Sequence, residues 1–209
     1  MFLHGILLGF SIAAPVGPIG VLCIRRTLAN GRWSGLATGL GAATADAVYG
    51  AIAAFGLTAI SGFLVAQQTW LRLVGGAFLV FLGLRTLLSR PATEAASASS
   101  STLAGDYAST LFLTLTNPLT ILSFVAVFAG LGLAASQRSY GAAAGLVAGV
   151  FCGSALWWLT LSTAVSLFRT RFGPASLRWV NIISGLIIAG FGLIALAIAL
   201  AIALASLMV

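Results

Sequence analysis

Charge is scarce in this sequence. Its 209 residues hold three acids (Asp46, Glu94 and Asp106), one histidine (His4) and no lysine, so only 6% are charged. A soluble domain carries about 25% charged residues, and a chain this poor in charge has too little to cover a water-facing surface. The shortage also bears on chemistry. A nucleophilic serine needs a base within reach, and His4 stands at the edge of the first apolar run with no lysine to replace it, which argues against an intramembrane enzyme. Hard-cation sites need several oxygen ligands, usually including carboxylates, and soft ones need thiolates or imidazoles. Cys23 and Cys152 lie in different apolar segments with no C-x-x-C between them. They read as small buried hydrophobes that imply neither a disulfide nor a metal site, and no cofactor is expected.

What the sequence has in abundance is apolar length. It is 60% hydrophobic with a mean hydropathy of +1.13, spread over the whole chain, the signature of a polytopic membrane protein. The N-terminal "MFLHGILLGF" has no basic leader and reads as the start of a span and not as a cleaved signal. Six apolar segments follow, at about 2–24, 34–60, 70–88, 107–133, 140–167 and 178–204. Each has the ~20 residues that a helical span requires. The expected fold is therefore an all-α membrane protein of six transmembrane helices.

All ten basic residues are arginine, giving a formal charge of +7. In a soluble protein such a balance would point to nucleic acid. Here the arginines sit between apolar runs and report orientation instead, so no nucleic-acid partner is expected. Eight of the ten flank the first, third and fifth connections: Arg25, Arg26, Arg32, Arg85, Arg90, Arg169, Arg171 and Arg178. The positive-inside rule places those connections in the cytoplasm and both termini outside. Trp33, Trp70 and Trp179, near span ends, read as interfacial anchors.

The two halves of the chain resemble each other. "WLRLVGGAFLVFLGL" (70–84) aligns with "WVNIISGLIIAGFGL" (179–193), matching Trp70, Gly76, Gly83 and Leu84 to Trp179, Gly185, Gly192 and Leu193. Spans 2 and 5, and spans 1 and 4, align at similar offsets, the last pair placing Ser11 and Pro15 over Thr114 and Pro118. Three-helix units joined by a single crossing have opposite topology. The expected organisation is a 3+3 inverted repeat: residues 1–88, a Ser/Ala-rich cytoplasmic linker at 89–106, and residues 107–209. The Gly- and Ala-rich runs of spans 2 and 5 are explained by close helix packing alone.

Proline interrupts two spans. In "SIAAPVGPIGVL" (11–22), Pro15 and Pro18 cannot donate to the carbonyls of Ser11 and Ala14. In "TLTNPLTIL" (114–122), Pro118 leaves the carbonyl of Thr114 without its usual partner. Such backbone has to face protein or water inside a bilayer. Gly17-Pro18 and Asn117-Pro118 both read as an N-cap followed by the first residue of a restarting helix. Spans 1 and 4 are thus expected to be half-helix pairs broken near the bilayer midplane, offering free N–H groups and positive dipole ends suited to a carboxylate. Asp46, the one acid inside any of the six segments, falls near the same depth, and Tyr49 shares its helical face. Intramembrane acids mark proton or substrate pathways. Ser11, Pro15, Gly17, Pro18, Asp46, Tyr49, Thr114, Asn117 and Pro118 are therefore the candidate pathway residues.

These stretches, "APVGPIGVLCIRRTLANGRWSGLATGLGAATADAVYG" (14–50) and "TNPLTILSFVAVF" (116–128), resemble the LysE/RhtB family of amino-acid exporters. The resemblance rests on the proline-glycine-proline element, a basic glycine-containing loop, an Asp in the second helix and an Asn-Pro opening the fourth. It implies export of amino acids or related small metabolites across a bacterial inner membrane, with protons as the coupling ion and a homodimer as the assembly. Pro15, Gly17, Pro18, Asp46, Asn117 and Pro118 match the family's motif positions. The alternative of a metal or inorganic-ion exporter has only one intramembrane acid to offer. A purely structural subunit would leave Asp46 and the broken helices without a role.

Overall fold

A computed structural model describes residues 1–14, 17–55, 63, 66–88, 102–117, 120, 121, 123, 124, 140–169 and 174–207. Within these there are seven helices and no strand: α1 Phe2–Ala13, α2 Pro18–Asn30, α3 Arg32–Ala54, α4 Gln68–Leu87, α5 Leu103–Leu115, α6 Tyr140–Phe168 and α7 Pro174–Leu207. Three stretches, Thr69–Leu87, Tyr140–Phe168 and Arg178–Ala205, are long and apolar enough to cross a membrane, and α1 with α2 makes a fourth if the pair is one span. At 23 residues α3 is also long enough, but its Gly, Ala and Thr content gives it little hydropathy. Much of the fourth expected span lies outside the described residues. α5 begins at Leu103, inside the stretch read as linker, because Thr102 caps it by accepting from the Gly105 N–H at 3.1 Å.

α1 packs on α6, α5 packs on α3, α3 and α6 pack on each other, and α4 pairs with α7. Glycines let these helices meet backbone to backbone. A Cβ at Gly9 would stand 2.1 Å from the Val150 carbonyl oxygen, and one at Gly153 would stand 2.0 Å from that of Ile6. Only residues without a side chain allow α1 and α6 to lie this close, the small-residue packing used where lipid removes the hydrophobic drive for helices to associate. The outward faces of α4 and α7 are apolar and exposed, with Trp70, Phe81, Trp179, Ile183 and Leu186 all open, as contact with acyl chains demands.

One end of the bundle gathers arginines from both halves of the chain. α2 and α3 are separated by Gly31 alone, whose φ of 96° is open to glycine at little cost. Arg169, at the end of α6, donates to the last carbonyls of α2, Leu28 at 3.1 Å and Ala29 at 3.3 Å. Arg25 donates to the Asn181 side chain of α7 at 3.1 Å.

Arg26 is the most heavily bonded of the group. Its Nε meets Asp106 Oδ1 at 3.1 Å, and the two side chains are 8% and 3% exposed. Its Nη1 reaches Thr38 Oγ1, Thr110 Oγ1 and the Asp106 carbonyl, each at 3.0 Å, and its Nη2 donates to Ser109 at 2.8 Å. Ser34 donates to the second Asp106 oxygen. Asp106, read from sequence as linker, is a second buried acid that ties α2 and α3 to α5.

Breaking a buried pair from one side strands a charge and costs about 3–5 kcal/mol, whereas replacing both partners by apolar groups is often nearly neutral. Arg26→Met is therefore expected to lower the melting temperature of the detergent-purified protein sharply. The double variant Arg26→Met/Asp106→Leu recovers most of that loss; a double variant as unstable as the single would show that the polar network stabilises beyond its charge balance.

Candidate functional site

Asp46 stands about two-thirds of the way along α3 and is 4% exposed. Across from it on α6, Ser154 donates to Asp46 Oδ2 at 2.7 Å, and the Trp158 indole N–H donates to Ser154 Oγ at 3.2 Å. An indole can only donate, so the serine accepts from it, and its own proton is directed to the carboxyl. Asp46 is thereby held with one oxygen as an acceptor, a hydrogen bond that favours the charged form of a buried carboxyl. Trp158 reaches the serine because α3 is bare at Gly39, where a Cβ would lie 2.2 Å from the tryptophan Cβ.

Tyr49, one turn further along α3, is also buried, and its hydroxyl donates to the carbonyl of Leu115. That carbonyl belongs to the last turn of α5, where the helix leaves acceptors without intrahelical donors. The ring packs on Phe124 with centroids 5.9 Å apart, in an apolar cluster with Ile121, Leu146 and Val150. Tyr49 thus ties α3 both to the end of α5 and to the residues just beyond Asn117.

The helix ends can be followed as far as the described residues allow. α1 stops at Ala13 and α2 starts at Pro18, with their axes inclined at 83°. Gly17 is the N-cap of α2 in extended conformation (φ −105°, ψ −164°), Pro18 opens the helix, and the Gly17 carbonyl accepts from Val21 at 3.1 Å. Among the described residues a Cβ at Gly17 would meet nothing within 4 Å. Ile19, in that first turn, shares a cluster with Ala42, Ala43 and Trp158, which brings the turn near the Asp46 chain. α5 stops at Leu115, and the Asn117 carbonyl accepts from the N–H groups of Thr120 at 3.1 Å and Ile121 at 3.3 Å. Pro15 and Pro118 lie outside the described residues.

One of the expected pathway residues is bonded within its own helix. The Thr114 hydroxyl donates back to the Thr110 carbonyl at 2.9 Å. The Thr114 carbonyl, expected to be open, accepts from the Asn117 N–H at 3.2 Å, a tightened last turn. Ser11 is exposed on α1. The site also holds what the sequence reading did not assign to it: Ser154 and Trp158. Their four-residue spacing places them on one face of α6, and Ser154 stands near the position that the repeat matches to Asp46. Among the described residues no group of three His, Cys, Asp or Glu side chains comes together.

Comparison with known proteins finds relatives of this chain. A protein of Bacillus subtilis (strain 168) named "Putative amino acid efflux protein YcgF" is 32% identical over 198 residues, which span 92% of this chain and 93% of that protein. The "Uncharacterized membrane protein YahN" of Escherichia coli (strain K12) is 30% identical over 151 residues, 71% of this chain and 67% of its own length. No solved structure matches significantly. The model of the LysE type translocator family matches residues 10–199. With nearly its whole length covered, an all-helical bundle and a multi-pass apolar sequence, the chain belongs to the LysE-type translocator family.

Proposed function

We propose that the chain is a secondary active exporter of amino acids or closely related small metabolites, working by alternating access and coupled to proton entry across the inner membrane. The observation that carries this reading is Asp46: a buried carboxyl inside an apolar bundle, held by an oriented serine, one helix away from the start of a second. The solute carboxylate rests on the N–H groups of the first turn of α2, which begins at Gly17-Pro18, beside the break at Asn117-Pro118. Asp46 takes the solute ammonium or the coupling proton, and Tyr49 lines the same path. Pro15 and Pro118 keep the two breaks open by withholding donors. The relative named for amino acid efflux supports the solute class.

Helix pairing supports the 3+3 inverted repeat of residues 1–88 and 107–209 that such a mechanism uses. Exchanging the halves turns the α1–α6 contact into the α5–α3 contact and returns α3–α6 and α4–α7 to themselves. At residue level, a Cβ at Gly76 would lie 3.0 Å from the Gly192 carbonyl oxygen, and one at Gly185 would lie 2.8 Å from that of Gly83. Since Gly76 matches Gly185 and Gly83 matches Gly192, each contact is the image of the other, as in an isologous interface. The arginine-rich end is the cytoplasmic one and both termini are periplasmic.

Counterflow in proteoliposomes, screened across the amino acids, is expected to show saturable exchange for a subset of them. Asp46→Asn lowers that exchange at least tenfold, about 1.4 kcal/mol of barrier, while the protein melts near the wild-type temperature. Undiminished exchange with an unchanged pH profile would remove Asp46 from the mechanism. Gly17→Ala adds a methyl that meets none of the described residues and costs less than about 1 kcal/mol of stability. It nevertheless slows exchange most for the bulkiest solutes; equal slowing for all solutes would mean that the space beside Gly17 is not where they bind.

A further inference from the structure

A serine or threonine hydroxyl inside a helix has a ready acceptor in the carbonyl four residues back. Thr27, Thr44, Thr110, Thr114 and Thr160 all use it. Ser154 departs from that habit. Its proton crosses to Asp46 Oδ2 on α3 at 2.7 Å, while its oxygen accepts from the Trp158 indole at 3.2 Å. All three residues are buried. A hydroxyl has one proton and two lone pairs, so Ser154 has two acceptors to choose between: Asp46, or the Val150 carbonyl one turn back on its own helix. The indole bears on that choice. An oxygen that accepts one hydrogen bond donates the next more strongly, and the strengthened donor meets a carboxyl whose charged form it favours. In the alignment of the two halves Gly39 matches Gly145, but Asp46 matches Cys152 and Trp158 matches Ile52. Neither the carboxyl nor the indole has a counterpart, so the packing of α3 on α6 does not by itself call for them.

Other titratable groups on and around α3 are occupied or distant. Tyr49, on the same helix, is near enough to feel the charge of Asp46, and its hydroxyl is bonded to Leu115. From α5, Tyr107 donates to Thr44 at 3.0 Å. The Asp106–Arg26 pair of α5 and α2 bonds Thr38, which lies about 12 Å before Asp46 along α3. Cys23 of α2 donates to the Gly35 carbonyl at 3.5 Å, while His4 of α1 and Cys152 of α6 are exposed. Among the described residues it is Ser154 that bonds the carboxyl. We propose that Trp158 and Ser154 are positioning residues that decide whether Asp46 carries its proton. With the indole seated at Gly39, the serine proton lies on the carboxyl oxygen and Asp46 is a carboxylate. When Asp46 takes up a proton, its new O–H donates to Ser154 Oγ, and the serine hydroxyl turns to the Val150 carbonyl. The use made of this switch rests on the exporter reading, which gives Asp46 the solute ammonium or the coupling proton.

Protonation can be measured without transport. The chain has three acidic side chains, so the infrared band of protonated carboxyl can be titrated in the purified protein, and the part that Asp46→Asn removes belongs to Asp46. Ser154→Ala is expected to raise the pH of half-protonation by about one pH unit, because a hydrogen bond to a charged group is lost. Trp158→Phe raises it by less, and the double variant raises it no further than Ser154→Ala alone, as holds for a residue that acts through another. Ser154→Thr, which keeps the hydroxyl, returns it toward the wild-type value, and Thr160→Val, whose hydroxyl bonds within α6, leaves it there. An unmoved midpoint in a Trp158→Phe protein that melts near the wild-type temperature would mean that Ser154 merely satisfies the indole, and it overturns the proposal. So do additive shifts in the double variant. In proteoliposomes the pH profile of counterflow is expected to move with the infrared midpoint. The infrared shifts without any counterflow by the wild type would uphold the switch and sink the exporter reading. Wild-type counterflow with an infrared midpoint unmoved in both single variants would do the reverse.

Discussion

The rest of the structure depends on how close α3 lies to its two neighbours. Gly39 admits the Trp158 side chain of α6, and at Gly41 a Cβ would stand 2.4 Å from the Tyr107 carbonyl oxygen of α5. Two residues apart, these glycines face different sides of the helix, so α3 is clasped from both. Asp46 and Tyr49 follow within three turns of that clasp. Ser154 can therefore reach the carboxyl at 2.7 Å, and the Tyr49 hydroxyl can reach the carbonyl of Leu115. A helix kept at ordinary separation by larger side chains would leave both polar groups without partners in a medium that supplies none.

This clasp divides the polar content of the molecule into two levels. At the arginine-rich end, one ion pair is surrounded by Ser34, Thr38, Ser109 and Thr110. Deeper in the bundle a lone carboxyl is met by one hydroxyl. The first level is densely satisfied and joins α2, α3 and α5 into one unit. The second is sparsely bonded and sits beside the start of α2, where backbone donors are in surplus. Structural work falls to the dense level.

Much of this was legible in the sequence, for identifiable reasons. Hydropathy announces an all-helical membrane protein, and proline with glycine or asparagine marks where α2 begins and where α5 has ended, because these residues constrain the backbone locally. Asp46 stands out as an acid in an apolar run. What the sequence concealed is pairwise. Arg26 counts there as one more positive charge and Asp106 as part of a polar stretch; only their meeting across 80 residues turns them into a buried pair. Ser154 is one small residue among many in α6, and nothing local shows that it faces Asp46. The carbonyl of Thr114 was expected to be open because a proline removes one donor, but a helix end can tighten and recruit the next N–H, as Asn117 does. Local rules predict which bond is lost, not which one replaces it.

The single-residue corner at Gly31 has a mechanical meaning. With only that residue between α2 and α3, two soft backbone torsions separate the helices, and Arg169 grips the last carbonyls of α2 from outside. This corner and its splint set where the start of α2, at Gly17, stands relative to Asp46 on the next helix.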